Sequence, residues 1–390
     1  MVERIVLLVC RLHFLLLCCL PRLTCSYGMM LCPTPEPCHC IGNDIIYCAY
    51  RSLDMPPYFL EFYEIWQTLN LSDNLLKSLP KESFKGVRVR AIDLTRNLIS
   101  DIHPTAFEGT ENVYTLDLSH NHLSYLARGV LAPLTALTSL KLRYNRFRSV
   151  NADAFADVSQ LVELDLSGNS IKNVPSEALR HLYNLKRLWL RNNKLKTIGA
   201  FAFPALPLEL LDLGSNDTPV RMDQQAMCSL MPQISHAEPN VKEWSGMQTL
   251  RMDHNGLTHL DPCIAKLIWT LQEVDISGNP LRCDCRLYLL RKWGTRTTFP
   301  NAQCAAPFQL AGEYVNDLEN HKLNCTKKDL YWTCEKLCPP PTPRPNINSR
   351  AVRRRCSWDV LLLVLMWILS LRYSFSRTAP LYPPLVAVQR

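Results

Sequence analysis

The stretch "LVELDLSGNSIKNV", residues 161–174, carries apolar side chains at Leu161, Leu164, Leu166, Ile171 and Val174, with Asn169 in the gap. An amphipathic helix would repeat about every 3.6 residues and a half-buried strand at every second one; this spacing does neither. It suits a short strand that sends Leu164 and Leu166 inward and then turns a corner. At the corner an asparagine side chain can bond the backbone of adjacent turns.

The phrase recurs along the chain as "WQTLNLSDNLLKSL", "VRAIDLTRNLISDI", "VYTLDLSHNHLSYL", "LTSLKLRYNRFRSV", "LKRLWLRNNKLKTI", "LELLDLGSN", "MQTLRMDHNGLTHL" and "LQEVDISGNPLRC". The aligned asparagines are Asn74, Asn97, Asn121, Asn145, Asn169, Asn193, Asn216, Asn255 and Asn279, at spacings of 23 or 24 with one step of 39. Self-similarity at such a period marks a stacked array. The pattern L-x-x-L-x-L-x-x-N-x-L resembles the leucine-rich repeat, here in nine units. The expected fold is an α/β solenoid with a curved parallel sheet on its concave face. One unit cannot bury its own apolar side, so stacking supplies the stability. Each buried leucine contributes roughly 1.5–3 kcal/mol, and each asparagine bond about 1 kcal/mol net. Phe84, Phe107, Leu131, Phe155, Leu179 and Phe203 recur in the return segments and are expected to form the convex-side core.

The formal charge of +8 over 390 residues suggests a polyanion partner, but its distribution argues otherwise. Residues 1–26 carry +2 and residues 340–390 carry +7, which leaves −1 for everything between. Global charge therefore steers no polyanion, nucleic acid or heparin, to the body. The first 26 residues, with Arg4 before the leucine-rich "FLLLCCL" and small Thr24 and Ser26 before Tyr27, read as a secretory signal. Thirteen of the 17 cysteines follow that point, clustered toward the ends of the body as disulfides of an oxidising compartment would be. "CPTPEPCHC" lacks the paired C-x2-C spacing of a structural zinc site.

A stacked array exposes an apolar cross-section at each end. Cys32, Cys38, Cys40 and Cys48 can staple a cap at residues 27–65, ahead of repeats over 66–281. "LRCDCRLYLLRKW" with Cys304 and Cys325 supplies a second cap at 282–326. With these the chain resembles extracellular leucine-rich repeat proteins capped by cysteines on both flanks, most of all the small matrix proteins of the chondroadherin group. That resemblance implies pairs Cys32–Cys40, Cys38–Cys48, Cys283–Cys304 and Cys285–Cys325. It also implies collagen and integrin-type partners. An insertion at 231–246 accounts for the long step, and Cys228 and Cys263 fall in adjacent return segments, where a disulfide would tie its base. Cys334 and Cys338 form a further expected pair ahead of a proline-rich spacer within 327–349.

In the tail, 350–390, "VLLLVLMWILSL" at 360–371 is apolar for 12 residues, short of the ~20 of a spanning helix. Arginines at Arg350, Arg353, Arg354 and Arg355 precede it, against the usual orientation of an outside-to-inside span. A glycolipid-anchor signal fits better, with Asn348 as attachment site and the apolar run as the discarded tail. A short membrane segment and plain secretion remain the alternatives; Arg350 is not small, and 19 residues follow the run.

Sequons occur at Asn70, Asn216 and Asn324. Asn70 faces outward on the first strand, whereas Asn216 is also a ladder asparagine and a poor acceptor. Outward side chains on neighbouring strands, about 4.8 Å apart, form columns. The central column reads Asn70, Asp93, Asp117, Lys141, Asp165, Trp189, Asp212, Arg251, Asp275. Its acidic monotony breaks where Lys141, Arg143 and Tyr144 share one unit and Trp189 and Arg191 stand two units on. Exposed aromatics among arginines have the composition of a protein-binding hot spot. No G-x-S-x-G, H-E-x-x-H or phosphate-cradling glycine loop occurs, and no cofactor or metal motif. The expected function is non-enzymatic: an extracellular scaffold for adhesion or matrix attachment, or else a receptor or co-receptor for a secreted protein.

Overall fold

The computed structural model describes residues within 36–325, apart from 43, 60–63, 217–218, 231–245, 261–263, 265–266, 269–270, 286, 288–298, 300 and 324. The signal, the insertion, the proline-rich spacer and the tail with Asn348 lie outside the described residues, as do Asn324, Cys32, Cys263, Cys334 and Cys338.

Eleven strands form one sheet in sequence order. His39–Ile41 and Ile45–Tyr47 pair antiparallel and open it. Tyr47 then lies opposite Asn70, and every later neighbour is parallel. Repeats one to nine contribute Trp66–Asn70, Val89–Asp93, Thr115–Asp117, Ser139–Lys141, Glu163–Asp165, Arg187–Trp189, Leu210–Asp212, Thr249–Arg251 and Glu273–Asp275. The register is that of the sequence motif: Leu69, Ile92, Leu116, Leu140, Leu164, Leu188, Leu211, Leu250 and Val274 stand in line, each at most 1% exposed. The fold is a leucine-rich repeat solenoid.

The ladder asparagines hold successive coils together. Asn169 Nδ2 donates to the carbonyls of Leu142 (3.0 Å) and Leu166 (2.9 Å), one on the preceding coil and one on its own. Its Oδ1 accepts from the Phe147 N–H at 3.1 Å. The residue before each ladder asparagine adopts positive φ, from Asp73 (53°) through Tyr144 (52°) to Gly278 (64°). That left-handed residue turns the corner and aims the amide inward.

Units of 23 or 24 residues leave little chain for the return, which runs mainly through turns with a four-residue helix at Ser176–Leu179. Phe84, Phe107, Leu131, Phe155, Leu179 and Phe203 are all buried there, and Met227 continues the column. Phe84 and Phe107 stack at 5.3 Å with planes 7° apart. At the ends, Cys38 bonds Cys48, Cys283 bonds Cys304 and Cys285 bonds Cys325. Cys40 and Cys228 are also disulfide-bonded. Among the described residues no helix is long and apolar enough to cross a membrane.

Candidate functional site

The acidic column on the open face of the sheet has a structural task. Asn70, Asp93, Asp117, Asp165, Asp212 and Asp275 each accept, through Oδ1, a bond from the backbone N–H two residues on, at 2.8–3.0 Å. A side chain that caps its own turn in this way fixes the exit from the strand. Lys141, Trp189 and Arg251 have no acceptor to offer. Those three positions forgo a bond worth about 1 kcal/mol.

Most cations of this face are matched across strands. Lys141 faces Asp117 at 3.6 Å, Arg187 meets Glu163 at 2.6 Å, Lys186 meets Glu209 at 2.8 Å and Arg251 meets Glu273 at 2.9 Å. Arg191 is held hardest. Its Nη1 and Nη2 donate to the two carboxylate oxygens of Asp253, each at 2.8 Å, and Nη2 also reaches Ser215 Oγ at 2.9 Å. Asp212 stands 3.6 Å from the same guanidinium. A Cβ on Gly214 would overlap Arg191 Nη1 and Asp253 Oδ1, so glycine leaves the opening through which the pair meets. Asp212 and Asp253 are each 3% exposed. Burial lifts the Asp212 carboxyl above its usual range, against the pull of the Gly214 N–H and Arg191. Burial opposes ionisation of Asp253 too, but hydrogen bonds from Arg191 and His254 outweigh it and hold that carboxyl low. The same Asp253 bond raises Arg191.

Beside this network lies an open cavity of about 460 Å³ walled by Tyr144 and Trp189, with Arg143, Asp165, Arg191 and Asn192 around it. Tyr144 is 40% exposed although its φ of 52° belongs to the left-handed region, costly for a bulky side chain. Three contacts hold its ring. His120 stacks on it at 4.5 Å, Arg143 lies over it at 5.0 Å, and it rests against Gly168, where a Cβ would collide with the ring. Burial lowers the His120 imidazole from its usual range, with Arg143 and Arg96 adding to it and Asp117 opposing. Among the described residues Arg143 has no ion-pair partner and Asp165 is engaged only in capping its own turn, so the cavity carries an arginine and an aspartate between two aromatic walls.

Of the five side chains singled out from sequence, Arg143, Tyr144, Trp189 and Arg191 border this cavity. Lys141 is turned toward Asp117. Arg191 is largely spent on Asp253. His120, Gly168, Gly214 and Asp253 shape the site and were not singled out. Asn216 is 1% exposed, with Nδ2 donating to Leu213 O at 2.7 Å and Gly214 O at 3.4 Å, so a glycan on it has no path to solvent in this coil. Asn70 is half-buried on the sheet face.

The leucine rich repeat family pattern matches residues 66–123, 87–147, 111–171 and 159–217 in overlapping windows. The chain is 34% identical over 111 residues to leucine-rich repeat-containing protein 3 of Danio rerio, covering 27% of this chain and 41% of that one. It is 33% identical over 89 residues to the platelet glycoprotein Ib beta chain of Rattus norvegicus (21% and 43%). It is 32% identical over 99 residues to epiphycan of Gallus gallus (24% and 29%). The chain thus spans about two-fifths of the length of the first two. Among solved structures, the octameric complex of latrophilin 3, Unc5D and the FLRT2 leucine-rich repeats gives a chain fully covered by 75% of this one, at TM-score 0.53 and 20% identity. The TLR13–ssRNA13 complex gives TM-score 0.51 at 21% identity, covering 66% of this chain and 40% of that one. These two likenesses are ones of fold.

Proposed function

We propose that this protein is a non-enzymatic, extracellular protein-binding scaffold whose docking centre is the cavity between Tyr144 and Trp189. One observation carries the reading. On a sheet face where aspartates cap turns and most cations are paired across strands, Arg143 has no ion-pair partner among the described residues and stands beside two aromatic rings. Exposed Tyr and Trp beside arginine is the composition enriched in interface hot spots. The pre-formed seat of Tyr144 keeps the ordering cost of binding small. The disulfides support an oxidising, extracellular setting.

The role assigned is cell adhesion or matrix attachment, with collagen or integrin-type partners as the resemblance to chondroadherin-group proteins implies. Cells plated on the purified protein, and its retention on immobilised collagen, test this directly. Wild type is expected to support one or both, and Tyr144→Ala with Trp189→Ala to lose it with an unchanged melting temperature. Equal activity of that double variant would remove the cavity from the reading.

The likeness to a platelet glycoprotein supports a second reading, a cell-surface receptor or co-receptor. If a glycolipid at Asn348 anchors the protein, phospholipase treatment of intact cells releases it into the medium.

A further inference from the structure

The near-zero charge of the body conceals a segregation of charge. Just beyond the ladder asparagines, Arg146 and Arg148 of repeat four, Lys172 of repeat five, Lys194 and Lys196 of repeat six and Arg221 of repeat seven are all exposed. They share one flank. Arg148, Lys172 and Lys196 occupy the same position of consecutive coils, whose backbones bond at this edge. Ser170 N reaches Phe147 O at 2.8 Å, Lys194 N reaches Ile171 O at 3.0 Å, Lys196 N reaches Lys172 O at 3.1 Å and Arg221 N reaches Lys196 O at 2.9 Å. At a coil spacing of about 4.8 Å the cations form a strip roughly 15 Å long.

Four acids of the same repeats are engaged elsewhere, while Asp157 and Asp223 are exposed and have no ion pair among the described residues. Asp153 faces Arg128 at 3.9 Å, Glu177 faces Arg180 at 2.9 Å, Glu163 faces Arg187 at 2.6 Å and Glu209 faces Lys186 at 2.8 Å. Among the described residues none of the six strip cations has a carboxylate within ion-pair distance. Like charges at this spacing repel, a cost within one face that a bound anion removes. Each step along the strip offers at least one Lys or Arg donor group, the chemistry that grips oxyanions.

We propose that this flank binds a sulfated polysaccharide, laid along the strip across repeats four to seven. A linear chain of regularly spaced oxyanions suits a narrow row of cations one coil apart, whereas a membrane surface presents a plane. The disulfides suit an oxidising, extracellular setting, where a sulfated polysaccharide is a chemically fitting polyanion. The inference does not depend on the aromatic cavity. Loss of either surface leaves the other measurable.

The test uses the full chain on immobilised heparin at physiological ionic strength. The arginines of residues 340–390 are then the same in every sample, and differences between variants report on the strip. Wild type is expected to be retained. Lys172→Glu with Lys194→Glu and Lys196→Glu is expected to lose roughly tenfold or more in affinity, with a shallower salt dependence. A control of equal charge change in repeat one, Lys77→Glu with Lys81→Glu and Lys85→Glu, should bind nearly as wild type. Replacing the three strip lysines by arginine should preserve binding. Should the glutamate triple fail to fold, Arg146→Gln with Arg148→Gln gives the same readout at lower amplitude. Four results would overturn the proposal: no retention of wild type, equal loss in strip and control triples, undiminished binding to desulfated heparin, or tighter binding to single-stranded DNA or phosphatidylserine vesicles.

Discussion

Arg191 and Asp253 stand 62 residues apart in sequence and meet in a two-pronged contact, both N···O distances 2.8 Å, through the gap left by Gly214. The pair spans repeats six to eight. Its aspartate side chain is buried and its arginine side chain 39% exposed, so solvent screens part of its strength. Arg191→Ala is expected to cost about 1–3 kcal/mol, because it strands a buried carboxylate. Gly214→Ala should cost about as much by overpacking alone, since its backbone is not left-handed. In a background lacking both partners the Gly214→Ala cost should largely vanish. Urea unfolding of the combined variants measures that non-additivity.

Acid weakens the same contact. The folded Asp253 carboxyl titrates below its unfolded value, so its contribution is complete above the ordinary carboxylate pKa and fades as pH falls through the folded one. Asp212, shifted the other way, contributes with the opposite sign. Asp253→Asn is therefore expected to be clearly less stable than wild type at neutral pH and to approach it below about pH 3.9. A stability gap that stays constant across that range would contradict the assignment of the low carboxyl to Asp253.

The ladder predicts a steep contrast between two asparagines. Asn121 Nδ2 donates to Leu94 O at 2.9 Å and Leu118 O at 3.1 Å, while its Oδ1 accepts from Ile99 N at 3.0 Å. Asn121→Ala leaves those buried groups unpaired and should cost about 2–4 kcal/mol. Asn70→Ala removes one half-buried turn bond and should cost about 1 kcal/mol or less. Thermal melts of the two variants check the ranking.

Gly168 and Gly278 separate backbone strain from recognition. Both have left-handed φ, 67° and 64°, so alanine at either costs about 1 kcal/mol. An added Cβ at Gly168 also pushes the Tyr144 ring, whereas at Gly278 it meets His254 instead. Gly168→Ala should impair adhesion and Gly278→Ala should leave it intact. Plating cells on each variant decides the matter.

The periodic features of the fold were legible because they repeat. Leu164 and its equivalents, the asparagines and the phenylalanine column each recur in most or all of the coils. The candidate site was legible through the break in the central column at Trp189 and its neighbours Arg143, Tyr144 and Arg191, whereas Lys141, another exception in that column, is turned toward Asp117. The acids of that column read as composition, yet their common role is a hydrogen bond two residues ahead, which neither burial pattern nor spacing announces. The partner of Arg191 was hidden for a different reason. Asp253 lies two coils away, but the 39-residue step stretches the sequence distance and masks the alignment. Aligning the column of Ser72, Thr95, Ser119, Arg143, Ser167, Arg191, Gly214, Asp253 and Ser277 would have shown cation, glycine and acid in succession. The exceptions at Gly168 and Gly214 carry meaning only beside the side chains that fill their space.

Tandem arrays change length when recombination copies or drops a unit, and the Arg191–Asp253 clasp decides where this chain tolerates it. Each asparagine bonds only adjoining coils, so excising one unit between repeats two and four would bring like edges together. Removing repeat seven would delete Gly214, and doubling it would carry Asp253 beyond reach of the guanidinium. That clasp makes gain or loss of repeat seven costlier, by about 1–3 kcal/mol, than the same change between repeats two and four.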